Sequence, residues 1–236
     1  MIRAEGLTKS FGSVRALDGL SLHVEKGAVY GLTGVNGSGK TTLIKHLTGI
    51  MLPDSGSCSI DGMPVADNVA VKERMAYVPD ELYFFGNYTL RDMRRFYSGL
   101  YRSWNEDRFA KMLADLGLPE NSRINRFSKG MQKQAQFLLS LCTMPDVLIL
   151  DEPMDGLDPI MRKKVWGWML RDVADRQMTV LVSSHNLREL EGICDSVGII
   201  DKGKLLFEGK LDELKGNAAG LSLEELFFYE MGGERA

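Results

Sequence analysis

Cysteine is scarce in this chain: Cys58, Cys142 and Cys194 are the only three among 236 residues. They are odd in number, scattered, and show neither CxxC nor metal-ligand spacing. That argues against a disulfide framework or a thiolate metal site and fits reduced thiols in a cytosol. Long apolar runs are missing as well. No uninterrupted stretch approaches the ~20 residues of a membrane-spanning helix, so work at a membrane would require another chain to supply the span. The opening residues, MIRAEGLTKSFG, carry no apolar core of signal-peptide length. Positive charge is not in excess. Lys and Arg number 29 against 32 Asp and Glu, for a formal net charge of −3. This argues against a general nucleic-acid binder, although a local basic patch remains compatible with it. Internal repeats and low-complexity linkers are also absent.

What is present is ordinary for a soluble globular protein: 44% apolar and 26% charged residues, with length enough for one or two domains and a buried core. IRAEGLTKSF, LSLHVEKG and AVYGLTG read as strands, with a turn at Gly27. KTTLIKHLTG has helical spacing and a closing Gly49. GSCSIDGMPV reads as a hairpin turning at Asp61-Gly62, and RMAYVP as a strand stopped by Pro79. Three helical patterns follow: TLRDMRRFYSGLY, NEDRFAKMLADLGL and KGMQKQAQFLLSLC. From residue 147 strands and helices alternate again. VLILDEP and MTVLVSS are strands, the first of them buried on both faces. IMRKKVWGWMLRDVADR and NLRELEGICD are helices. SVGIIDKGKLLFEG is a hairpin around Lys202-Gly203, and SLEELFFYEM is a last helix. The expected fold class is α/β, a core interrupted by helices between about 81 and 146.

The stretch GVNGSGKTT, Gly34 to Thr42, matches G-x-x-x-x-G-K-[ST] through Gly34, Gly39, Lys40 and Thr41. A strand leads in and a helix leads out, as a phosphate loop requires. Glycines let the backbone of Gly34, Val35, Asn36, Gly37, Ser38, Gly39, Lys40, Thr41 and Thr42 curl so that N–H groups converge on phosphate. The helix N-terminus adds partial positive charge, Lys40 reaches the outer phosphates, and the Thr41 hydroxyl is a ligand for Mg²⁺. VLILDEP supplies the acidic complement. Asp151 ends a buried strand where a Mg²⁺ partner belongs, and Glu152 follows as acceptor of a proton from attacking water. A strand-end Asp-Glu pair alone would be ordinary surface; paired with the loop, it describes a nucleotide hydrolase.

FSKGMQKQ, residues 127–134, narrows the class. Ser128 is a good N-cap, a helix N-terminus attracts anions, and the Asp151-Glu152 strand follows soon after this helix. With these motifs the chain resembles the ATP-binding subunit of an ABC transporter. The resemblance covers nearly its whole length. It implies a single ABC ATPase domain over residues 1–236: a P-loop NTPase (RecA-like) core with an N-terminal antiparallel β subdomain and a helical insert. The family's Leu-Ser-Gly-Gly-Gln signature is filled here by Phe127, Ser128, Lys129, Gly130 and Met131. The resemblance implies that Ser128, Lys129 and Gly130 face the γ-phosphate of ATP held by a second subunit, packed head to tail. MDGLDP is similar to the family's D-loop, implying that Asp158 meets the partner's phosphate loop. His185 in VSSHNL is similar to the switch histidine that contacts γ-phosphate. Phe11 is similar to the aromatic that stacks on adenine; a core Phe at a strand end fits the same position.

In YVPDELYFF, Asp80 stands where the family carries a Gln, which leaves Asp80 as a prospective Mg²⁺ ligand, with Glu81 competing for the role. Tyr83, Phe84, Phe85 and Tyr88 suit either a socket for a membrane subunit or the insert's own small core. The departures, the length and SLEELFF make the exporter-type (ABC-2-like) branch the expectation. The resemblance implies ATP and Mg²⁺ as cofactors. It implies a transmembrane permease and a second ATPase subunit, identical or paralogous, as partners, and a place on the cytoplasmic face of the membrane. The rival is a soluble ABC ATPase acting as a nucleotide-dependent switch on a sensory complex, ribosomes or DNA.

Overall fold

A computed structural model describes residues 1–213 and 222–232. Alternating burial in the first two strands builds an antiparallel hairpin, β1 (Ile2–Phe11) with β2 (Val14–Val24). The turn runs through Gly12 at φ 59°, and β2 therefore starts earlier than LSLHVEKG suggests. Exposed Val14 and Arg15 pair with the end of β1, so no apolar signal marks that beginning. β4 (Ser55–Ile60) and β5 (Met63–Pro64) add a second hairpin. Its Asp61 and Gly62 have φ 50° and 75°, the left-handed pair of a tight hairpin turn. The sheet order is β2-β1-β4-β5.

The second sheet has the order β10-β9-β3-β8-β7-β6. β3 (Val29–Thr33), β6 (Met75–Val78), β7 (Val147–Asp151), β8 (Thr179–Ser183) and β9 (Ser196–Asp201) run parallel. β10 (Lys204–Lys210) returns antiparallel on the edge. The continuous apolar runs follow from burial on both faces. In β7, Leu148 and Leu150 enter one core cluster while Val147 and Ile149 enter the other. The first core lies toward the helices of the chain's middle; the second lies toward the antiparallel sheet and α1 (Lys40–Leu47).

Between β6 and β7 the chain runs through α3 (Leu90–Leu100), α4 (Glu106–Leu116) and α5 (Lys129–Cys142). Thr89 and Asp92 form a capping box on α3, and Asn105 caps α4, which Gly117 ends at φ 65°. α5 is the central helix of this region. Its Phe137, Leu138, Leu139 and Leu141 are all 0% exposed, each worth about 1.5–3 kcal/mol of burial. α6 (Pro159–Arg176) is tied to α4 by Asp172, which pairs with Arg108 at 2.7 Å. α7 (Leu187–Ile193) and α8 (Leu223–Glu230) pack together, with Arg188 bridging to Glu224 at 3.1 Å. The four-residue helix α2 (Val69–Lys72) is too short to show in a periodicity.

Candidate nucleotide-hydrolysis site

The carboxyl ends of β3, β8 and β7 lie side by side, and the loops that leave them form one cleft. After β3 the chain enters Gly34–Gly39 before α1 begins at Lys40. Gly37 and Gly39 turn left-handed, at φ 79° and 115°. A side chain on Gly34 would run into the Ile200 carbonyl, and a Cβ on Gly39 would lie 2.7 Å from the Ala16 carbonyl. The loop therefore fits between β2 and β9 only without side chains at these points. Gly39 also stands at the N-cap of α1 with no side-chain cap, so the first turn's N–H groups are not taken by a capping side chain. Ser38 Oγ is buried and unpartnered among the described residues. Lys40 is buried, and its Nζ donates to the carbonyls of Gly34 (2.7 Å) and Val35 (3.3 Å). Burial pushes the Lys40 pKa down, while Glu152 and Asp151 pull it back up.

Asp151 closes β7, opposite Ser183 at the end of β8. Its buried carboxylate accepts from Ser183 Oγ at 2.6 Å. The same Ser183 oxygen accepts the Glu152 N–H at 3.0 Å. Glu152 then adopts φ 42°, a left-handed conformation that is uncommon for a residue with a side chain. Its Oε2 lies 2.9 Å from His185 Nδ1 and accepts the His185 N–H at 3.3 Å. Its carbonyl accepts from Lys133 Nζ at 2.9 Å. Ser183 and Lys133 are the residues that sequence reasoning missed. Ser183 could have been found as the polar end of a buried strand, and Lys133 only as a basic residue on the apolar helix α5.

Lys133 is 7% exposed, and Asp80 Oδ1 is 3.9 Å from its Nζ. Burial lowers the Lys133 pKa; Asp80, Asp155 and Glu152 raise it, and Arg162 lowers it slightly. Asp80 lines the cleft together with Gly34, Glu152 and His185, and also a neighbouring cleft that Lys129 and Gly156 border. Glu81 lines only the second of these.

The model of the family described as ABC transporter matches residues 17–155. The chain belongs to the ABC transporter family. It is an ATP-binding, ATP-hydrolysing subunit of that family. It is 32% identical over 215 residues to the ABC transporter ATP-binding protein YtrB of Bacillus subtilis, covering 91% of this chain and 74% of YtrB. To the bacitracin transport ATP-binding protein BcrA of Bacillus licheniformis it is 34% identical over 218 residues, covering 91% and 71%. The solved ATP-binding subunit of an ABC transporter superposes with a TM-score of 0.90 at 28% identity, over 98% of this chain and 99% of that one. No described helix is long and apolar enough to cross a membrane.

The other residues that the family resemblance singles out lie at the starts of α5 and α6 and at the β1–β2 turn. Ser128 caps α5 by accepting the Met131 N–H at 3.2 Å. A Cβ on Gly130 would lie 3.2 Å from the Gly156 carbonyl, so the start of α5 is packed on the loop that precedes α6. Asp158 caps α6, accepting the Met161 N–H at 3.0 Å, with Pro159 in the first turn. Phe11 stands apart at the β1–β2 turn. It is 48% exposed, with Lys9 Nζ 5.9 Å from its ring centroid, so it is not a core residue. The aromatic set divides. Phe84 packs on the core, while Tyr83, Phe85 and Tyr88 are exposed and clustered, Phe85 and Tyr88 at 4.9 Å between centroids.

Proposed function

We propose that this ABC ATPase drives a separate transmembrane permease of exporter type, with ATP held between two ATPase subunits packed head to tail. The observation that carries the chemistry is the Glu152 carboxylate, held against His185 at the edge of the cleft that Gly34 and Val35 line. The backbone amides of Gly34–Thr42 and the Lys40 ammonium take the phosphates, and the bare glycines and the unpartnered Ser38 hydroxyl suit that load. The hard oxygen donors Thr41 and Asp151, at the start of α1 and the end of β7, would hold Mg²⁺. Bound there, Mg²⁺ supplies charge neutralisation across the phosphates.

Glu152 accepts a proton from water as the water oxygen bonds to the γ-phosphorus. The bond from that phosphorus to the bridging oxygen breaks, leaving ADP and inorganic phosphate. His185 orients Glu152 and faces the γ-phosphate. Ser128, Lys129 and Gly130 at the start of α5, together with Asp158, complete the site of a partner subunit, and Phe11 stacks on adenine. Catalysis of this kind is positioning and electrostatic stabilisation.

Glu152→Gln tests the base. ATP binding is expected to stay within about twofold while turnover falls on the order of 10²–10⁴-fold. Unchanged hydrolysis overturns the assignment. BcrA, a bacitracin transport ATP-binding protein, is the kind of relative that supports transport over the switch reading.

A further inference from the structure

Asp80 and Lys133 both lie next to the signature and Glu152, and neither role follows from the phosphate-loop chemistry. Lys133 stands one turn into α5, the helix that begins at the signature. Its side chain is 8% exposed, and its Nζ donates to the Glu152 carbonyl at 2.9 Å. That carbonyl belongs to the residue whose φ of 42° turns its carboxylate toward His185. A left-handed residue with a side chain persists only where its surroundings over-determine it. Here Ser183 Oγ accepts the Glu152 N–H and Lys133 donates to the Glu152 carbonyl, so the turn is clamped from both sides. A buried ammonium needs compensating charge. Asp80 Oδ1 at 3.9 Å provides it, from the loop that follows β6.

We propose that Lys133 is the positioning residue of Glu152: its ammonium holds the left-handed turn that carries the base to His185, and Asp80 is its counter-charge. This rests on Glu152 being the base. It assigns Asp80 to the lysine rather than to the metal. It also makes the loop after β6 and the signature helix two supports of one catalytic carboxylate, so that displacement of either one loosens the base.

The test is steady-state ATP hydrolysis by the full chain in Lys133→Met, Lys133→Arg, Asp80→Asn and the Asp80→Asn/Lys133→Met double variant, with Glu152→Gln in the same assay. Lys133→Met is expected to lower kcat about 10- to 100-fold, as loss of positioning does, with KM for ATP within about twofold because the phosphate loop is untouched. Lys133→Arg, which keeps a cation and its donors, is expected to recover most of that loss. Asp80→Asn is expected to lower kcat less, and to add almost nothing in the Lys133→Met background. Unchanged kcat in Lys133→Met overturns the proposal. So does a loss in which KM rises in step and Arg restores nothing, because that marks a packing role. A fully additive double variant, with a raised Mg²⁺ requirement in Asp80→Asn, overturns it in favour of Asp80 as a metal ligand. A large loss in Glu152→Gln beside none in Lys133→Met fails the positioning role alone; no loss in Glu152→Gln fails both.

Discussion

Glu152 and His185 meet across the ends of β7 and β8, with Oε2 2.9 Å from Nδ1 and a second hydrogen bond from the His185 N–H at 3.3 Å. The register explains the meeting: Asp151 is opposite Ser183, so the residue after one and the second residue after the other emerge at the same edge. His185 is exposed while Glu152 is mostly enclosed, so the imidazole borders the carboxylate on its open side. We expect His185→Ala to lower kcat on the order of 10²-fold with KM for ATP little changed. The loss should largely vanish as a separate effect in a Glu152→Gln background, because the two act as a unit. Rate measurements on the two single variants and the double variant check this.

Gly39 stands at φ 115° with the Ala16 carbonyl 2.7 Å from where a Cβ would be. Gly39→Ala is therefore expected to fail in two ways. The loop must shift, which weakens ATP binding, and the strain costs roughly 1–3 kcal/mol. In a chain of this size that lowers Tm by about 2–4 °C for each kcal/mol. Thermal unfolding and nucleotide titration of the variant separate the two effects.

Ser128 has two roles to be told apart, the helix cap seen within its own chain and the proposed contact with γ-phosphate across a dimer. Ser128→Ala removes both, and the cap alone costs about 1 kcal/mol. Ser128→Asp keeps a good cap but places a carboxylate where a triphosphate would arrive. We expect Ser128→Asp to keep the wild-type Tm within about 1 °C and to abolish cooperative ATP hydrolysis. Calorimetry and turnover measured on the same samples decide it.

Much of this was legible in the sequence, for local reasons. The phosphate loop declares itself because Gly34, Gly39 and Lys40 fall in one short run between a strand and a helix. The buried strands declare themselves because a sheet covered on both faces needs residues such as Val147–Leu150 to be apolar without alternation. Ser128 is readable as a cap from residue type and position. What was not legible depends on pairs brought together by the fold. Lys133 reaches the Glu152 carbonyl from a different element, and nothing in MQKQ marks its ammonium as buried. Ser183 matters through its register with Asp151. Phe11 fitted both an adenine-stacking and a core reading, since a strand end faces either way; its exposure of 48% goes with the turn at Gly12.

In the proposed dimer two copies of this ATPase close on ATP through the start of α5. The most direct measurement is light scattering behind size exclusion on the Glu152→Gln chain, with and without Mg-ATP. The monomer is expected to become a dimer when Mg-ATP is added, and a Ser128→Asp/Glu152→Gln double variant is expected to stay monomeric. A Glu152→Gln chain that binds ATP and remains a monomer would contradict the proposed dimer.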